Sequence, residues 1–294
     1  MQKKHLILAI LVTLVWGVNF PITKLGLLSM EPFLLTGIRF TLAALPLVFF
    51  IPRPNIPFRY VVIYGFIFGL GMWGIINYGI QVGVHPGVAS LLIQLSAFFT
   101  MGWGALLFKE RLRATQLLGA LIAFVGLVGI ILSQGGGDAT FGLVLVVLSA
   151  VSWSIGNVII KLSGVKEIFS FMVWASLFPP IPLFLVSYWL HGAEPFTTLP
   201  EAINLMSVMS ILFQVYLATH FSYWGWNSLL KLYPVSTVAP LSLLIPVFGL
   251  GSSMLILGEQ VSFIEALSIS AIIAGLAFGL YKGPVRPVSY PATR

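Results

Sequence analysis

Ten runs of about 20 predominantly apolar residues follow one another along this chain of 294 residues, each long enough for a helix to cross the hydrocarbon core of a bilayer. They fall at roughly 6–28, 32–51, 60–82, 86–108, 114–132, 141–162, 168–190, 205–231, 234–257 and 262–282. Inside a bilayer every backbone N–H and C=O must find a partner within the protein, and for runs of this length the helix is the solution. The expected fold is all-α, an integral membrane protein of ten transmembrane helices. Hydrophobic residues make up 59% of the chain and charged residues 8%, against the quarter or so that a soluble domain carries. The ten runs occupy about 200 residues, so tails and loops are too short for a second folded domain. The first run outlasts a signal-peptide apolar region, carries Asn19 and lacks an A-x-A-like cleavage site, and is expected to stay in the mature protein. Cysteine is absent, which excludes disulfides, thiol catalysis and Cys-ligated metal.

The chain also says the same thing twice. Trp16 is followed eight residues later by Lys24, and Trp153 eight residues later by Lys161. Pro86 opens an apolar run that closes on Lys109-Glu110, and Pro234 opens one that closes on Gly258-Glu259. These echoes divide the chain into a first unit, 1–134, and a second, 135–294, joined through the polar stretch Ser133 to Asp138. Each unit holds five spans. An odd number makes the second copy enter the membrane upside down, the inverted-repeat construction that lets two halves exchange conformations around a site at mid-membrane. Duplication can also build a symmetric scaffold, a plainer reading.

Charge placement gives an orientation. With ten spans both termini share a side, and that side collects thirteen of the fifteen Lys and Arg residues, from Lys3 and Lys4 to Arg286 and Arg294. Only Lys24 falls on the far side, and Arg39 lies within span two. By the positive-inside rule both termini are expected in the cytoplasm. The net charge of +7 therefore reflects topology and not nucleic-acid binding.

Polar side chains at mid-span normally face protein or a watery cavity. Trp16 with Asn19, Trp73 with Asn77, Gln94 with Phe98 and Trp153 with Asn157 sit three or four residues apart, so each pair shares a helical face. One amide and one ring on each of four helices suit a zwitterionic or weakly polar solute. Phe20, Gln214, Tyr223 and Ser242 complete the candidate substrate-binding set, with Ser242 lying between Pro240 and Pro246 in an interrupted span. Against this, Asn and Gln often only tie helices together, at about 0.6 kcal/mol each. His220 is a candidate proton-linked group, ranked below a hydrogen-bonded packing role. Trp189 and Tyr281 read as interfacial belt residues, and Lys24, Lys161 and Lys231 as snorkelling ends. Gly65/Gly69, Gly79/Gly83 and Gly275/Gly279 are small-residue faces that permit close helix approach without establishing a dimer.

The motifs VWGVNFPITKLGL, GIRF, HPGVASLLIQLSAFFTMGWGALLFKERL and APLSLLIPVFGLGSSMLILGEQV, in that order, resemble the EamA-type branch of the drug/metabolite transporter superfamily over nearly the whole chain. WGVNF, GVASLLIQ, AFFT and VAPLSLLIPV look closest to bacterial inner-membrane exporters of cysteine and O-acetylserine. The resemblance implies a ten-helix basket whose cavity is lined mainly by spans one, three, four, six, eight and nine. Arg39 matches the family's arginine, while Met172-Val173-Trp174 in span seven offers it no counterpart.

The expected function is that of a multi-pass carrier in the bacterial inner membrane, exporting amino acids or related small metabolites by alternating access. Its partners would be a small-molecule substrate and the lipid bilayer, with no cofactor, metal or nucleic acid. An exporter of bulkier aromatic or drug-like solutes is the alternative within transport. An intramembrane enzyme is disfavoured: His5, His85, His191 and His220 occur on separate segments with no carboxylate at ligand spacing. A passive channel would want a continuous polar stripe. No Asp or Glu lies at mid-span and no G-x-x-x-x-G-K-[ST] loop is present, so export down the substrate's gradient or by exchange is favoured over a carboxylate proton relay or ATP hydrolysis.

Overall fold

The computed structural model describes residues 1–110, 112–133, 137–233 and 235–280. Among these, ten helices are long and apolar enough to cross a membrane: α1 (Lys3–Leu27), α2 (Pro32–Phe49), α3 (Phe58–Gln81), α4 (Pro86–Phe108), α5 (Ala114–Ser133), α6 (Asp138–Ser163), α7 (Ile168–His191), α8 (Leu205–Leu232), α9 (Pro240–Leu257) and α10 (Phe263–Leu280). The protein is an all-α integral membrane protein with bounds close to those expected from hydropathy. Arg111, the middle of the Ser133–Asp138 connection, Pro234, Tyr281 and the C-terminal cations fall outside the described residues.

Local chemistry sets the ends. Glu31 caps α2 by accepting from the Leu34 N–H at 2.7 Å, with Pro32 at the first helical position, where its missing N–H is harmless. Ser262 and Glu265 cap α10 reciprocally: the Ser262 N–H donates to Glu265 Oε2 at 2.8 Å and the Glu265 N–H to Ser262 Oγ at 3.2 Å. Lys109 and Gly258 turn out of α4 and α9 with φ of 54° and 68°. Trp189 is 82% exposed, in keeping with a place at the lipid interface.

Besides the breaks in α2 before its 3₁₀ turn Leu47–Phe49 and in α7 before Pro180, two pairs of helices depart from regular α geometry in corresponding places. α3 is π-helical over Ile67–Gly74 and α8 over Phe213–Phe221. α4 tightens to a 3₁₀ turn at Ile93–Leu95, and a 3₁₀ turn at Ala239–Leu243 opens α9. Such departures release carbonyls from the i→i+4 ladder. Packing follows the same correspondence. α1 lies against α9 as α6 lies against α4, α8 against α1 as α3 against α6, and α5 pairs with α10 as α2 does with α7. The glycine faces work within the chain: Gly119 on α5 meets Gly275 on α10 so closely that a Cβ there would lie 2.5 Å from the Gly275 carbonyl oxygen.

Candidate functional site

A cavity of about 570 Å³ lies between the helices. Phe20, Trp73, Ile93 and Gln94 surround it near mid-depth, and Ile160, Ile168, Leu230 and Leu280 carry it to the ends of their helices on the side of the chain termini. α1, α3, α4, α6, α8 and α9 all contribute, and α7 and α10 add Ile168, Leu276 and Leu280.

Broken helices supply the polar anchors. Pro246 has no N–H to offer the Ser242 carbonyl four residues back, and that carbonyl accepts from Gln94 Nε2 at 3.0 Å. In the π-helical stretch of α8 the Ala218 carbonyl accepts from Trp16 Nε1 at 2.9 Å. Trp16 is thereby fixed with its ring edge-on to Tyr223, centroids 5.6 Å apart, and 5.4 Å from Trp226. Across the cavity Asn157 Nδ2 donates to Thr100 Oγ1 at 3.1 Å, and Trp103 Nε1 to Ser154 Oγ at 3.0 Å.

Of the thirteen candidate residues, eight line this cavity: Trp16, Phe20, Trp73, Gln94, Trp153, Asn157, Tyr223 and Ser242. Five stand apart, each for a local reason. Asn19 is fully buried with neither side-chain polar atom partnered among the described residues. It is three residues from Trp16, but the cavity follows the face of Phe20, four residues on. Asn77 turns to α2, donating to Thr36 Oγ1 at 2.9 Å, because the π-helical stretch that precedes it moves its face away from that of Trp73. The 3₁₀ turn of α4 does the same to Phe98, which packs against Gly279 of α10. Gln214 holds Arg39, and His220 bonds the Ala43 carbonyl at 3.0 Å between the rings of Phe169 and Tyr216.

The sequence reading passed over Tyr64, Thr100 and Trp226, which also line the cavity. Trp226 follows Tyr223 at the i, i+3 spacing used for the other pairs, and Thr100 becomes visible only through its bond to Asn157. Arg39 is 1% exposed, at the middle of α2. Its Nη1 donates to Gln214 Oε1 at 3.4 Å and its Nη2 to Thr219 Oγ1 at 3.2 Å, and its guanidinium lies 4.0 Å from the centre of the Trp73 ring.

The profile of the EamA-like transporter family matches residues 3–132 and again 140–281. A probable amino-acid metabolite efflux pump of Salmonella typhimurium is 38% identical over 292 residues, covering 97% of this chain and 98% of that protein. A protein of the same description from Escherichia coli is 36% identical, with 96% of each covered. A solved crystal structure covering 95% of this chain and 96% of its own superposes with a TM-score of 0.60 at 18% identity, a likeness of fold alone.

Proposed function

Because this chain belongs to the EamA-like transporter family, we propose that it is a secondary carrier of the bacterial inner membrane that exports amino acids or related small metabolites by alternating access. Both termini are read as cytoplasmic, on the weight of Lys and Arg along their side. Residues 1–134 and 135–294 are read as inverted repeats, supported by the matched π-helical and 3₁₀ stretches and the exchanged helix pairings.

The observation that carries this reading is the cavity: it sits where the two halves meet, begins at mid-depth and extends towards the terminus side only. A carrier facing the cytoplasm presents that shape to its cargo. The lining combines amides, hydroxyls and aromatic rings with aliphatic side chains such as Met72, Ile93 and Leu243, and holds no carboxylate, which favours carriage over catalysis. Gln94 and Asn157 each commit an N–H within the protein, and their carbonyl oxygens are suited to a substrate ammonium. The volume and the rings of Trp16, Trp153 and Trp226 admit aromatic as well as small amino acids. Movement down the substrate's own gradient or by exchange fits a lining without a carboxylate relay.

Purified protein in liposomes loaded with labelled cysteine, O-acetylserine, threonine or phenylalanine should show saturable counterflow of at least one. If none moves while a bulky dye does, the metabolite reading is wrong. The chain has no cysteine, so single cysteines at Lys3 and Glu194 report topology. They should react from opposite sides, and reaction from the same side would overturn the ten-span orientation.

A further inference from the structure

We infer that Arg39 makes the cavity selective for solutes that carry a free carboxylate. This deepens the export reading and rests on it. A cation inside a membrane span is costly and is by default a functional residue with a counter-charge to be found. Among the described residues no carboxylate lies within ion-pair distance of Arg39. Its neighbours are neutral: Gln214 and Thr219 accept two of its hydrogen bonds, and the faces of Trp73 and Phe40 lie 4.0 and 5.4 Å away. Its Nε has no partner among the described residues, and neither has the indole Nε1 of Trp73.

The chain is built around this charge. Trp73 comes from the π-helical stretch of α3, and Gln214 and Thr219 come from that of α8, so both irregular segments converge on the guanidinium. Trp73 is also a wall of the cavity, which puts the charge one ring behind the space the substrate occupies. With no carboxylate paired to it among the described residues, the positive potential extends through the ring into the cavity. A carboxylate against the near side of Trp73 would sit about 7 to 8 Å from the guanidinium, where attraction at an effective dielectric constant of 20 favours binding about 30- to 60-fold. The same field disfavours lipophilic cations. Arg39 thus acts as a specificity-determining residue through Trp73, without touching the substrate.

Counterflow of labelled phenylalanine, competed by phenylalanine or by phenylalaninamide of nearly equal volume, reads this selectivity as a ratio of inhibition constants. The wild type should prefer the acid by tenfold or more, Arg39→Lys should keep most of that preference, and Arg39→Gln should reduce it below threefold. Gln214→Glu neutralises the guanidinium in place while supplying it with a salt-bridge partner, so it tests the field even if Arg39→Gln fails to fold; it too should collapse the ratio. An unchanged ratio in the neutralised variants, or equal loss for acid and amide, overturns the inference. Thermal stabilisation of the solubilised protein by each compound separates the two proposals. Stabilisation by the acid over the amide without transport would sink the carrier reading and keep the role of Arg39, whereas no difference between acid and amide in either assay would sink the latter.

Discussion

The crossing of α1 with α9 and the crossing of α6 with α4 are made from corresponding stretches of the chain, yet one is dry and tight and the other polar and hollow. At the first, Gly17 meets Gly249. A Cβ on Gly17 would lie 2.6 Å from the Phe248 Cβ and 2.7 Å from both the Gly249 nitrogen and the Ile245 oxygen. At the second, the spacing that pairs Trp16 with Trp153 puts Ser154 in the place of Gly17, and the spacing that pairs Glu110 with Glu259 puts Thr100 in the place of Gly249. There Ser154 accepts from Trp103, Thr100 accepts from Asn157, and Thr100 and Asn157 line the cavity. Glycine lets two backbones touch and shuts out water, whereas hydroxyls hold the helices a side chain apart. The difference teaches why a near-repeat gives an asymmetric chamber: small residues close the far side and polar ones keep the terminus side open.

The largest expected effect comes from forcing the dry crossing apart. Gly17→Leu places atoms against backbone that cannot turn aside, an overpacking that costs about 1–3 kcal/mol. That corresponds to a 5- to 150-fold loss of the far-side-closed form. Counterflow should fall about fivefold or more, and a cysteine at the buried Ser253 should become reactive from the far side. Wild-type counterflow in Gly17→Leu would show that this crossing is not what closes the chamber.

A smaller effect separates the two amides that follow the paired tryptophans. Asn157→Ala removes the bond to Thr100 and a cavity-lining group, and should raise the half-saturation concentration about 3- to 10-fold with folded yield intact, as expected for one hydrogen bond of 0.5–1.5 kcal/mol. Asn19 has no described partner for either polar atom, so Asn19→Leu should be neutral or stabilising in a thermal melt and leave transport within about twofold. If Asn19→Leu instead abolishes transport in a well-folded protein, Asn19 meets the substrate in the opposite conformation and the two copies serve in turn.

The helix count was legible because bilayer thickness and backbone hydrogen bonding act on every residue of a span in the same way. Which face of a helix meets the cavity was legible only where the helix stays α. Trp153 with Asn157 lies on an uninterrupted stretch and both reach the cavity, whereas Trp16 with Asn19, also on an uninterrupted stretch, is split because the cavity follows the face that Trp16 shares with Phe20. Trp73 with Asn77 and Gln94 with Phe98 adjoin or straddle a π-helical or 3₁₀ stretch, and each pair is split. Neither irregularity has a residue-level signature such as proline at its own position in α3 or α4. Pro246 was readable as an interruption, but that its freed carbonyl would be claimed by Gln94 required the fold.

The smallest effects belong to the ends of the two crossings, where the same Lys and Glu positions meet different surroundings. Lys161 Nζ lies 2.6 Å from Glu110 Oε1 with both side chains 54% exposed, so Lys161→Gln should cost less than about 1 kcal/mol and nothing measurable in high salt. At the other end Lys24 donates to the Ile80 carbonyl at 3.1 Å, and Glu259 beyond α9 is half-buried. Burial pushes the Glu259 carboxyl above the ordinary carboxylate range, while His85, the Gly87 N–H and Lys24 pull it back. A carboxyl raised in the folded protein contributes its stability at low pH and loses it as pH rises through the raised value. The wild type should therefore gain on Glu259→Gln as pH falls from neutral, and the variant should be at least as stable at neutral pH. Melting temperatures of both proteins across that window check the sign. A variant less stable than the wild type at neutral pH would mean that the Glu259 charge, held by Lys24 and His85, is itself what fastens the far side shut.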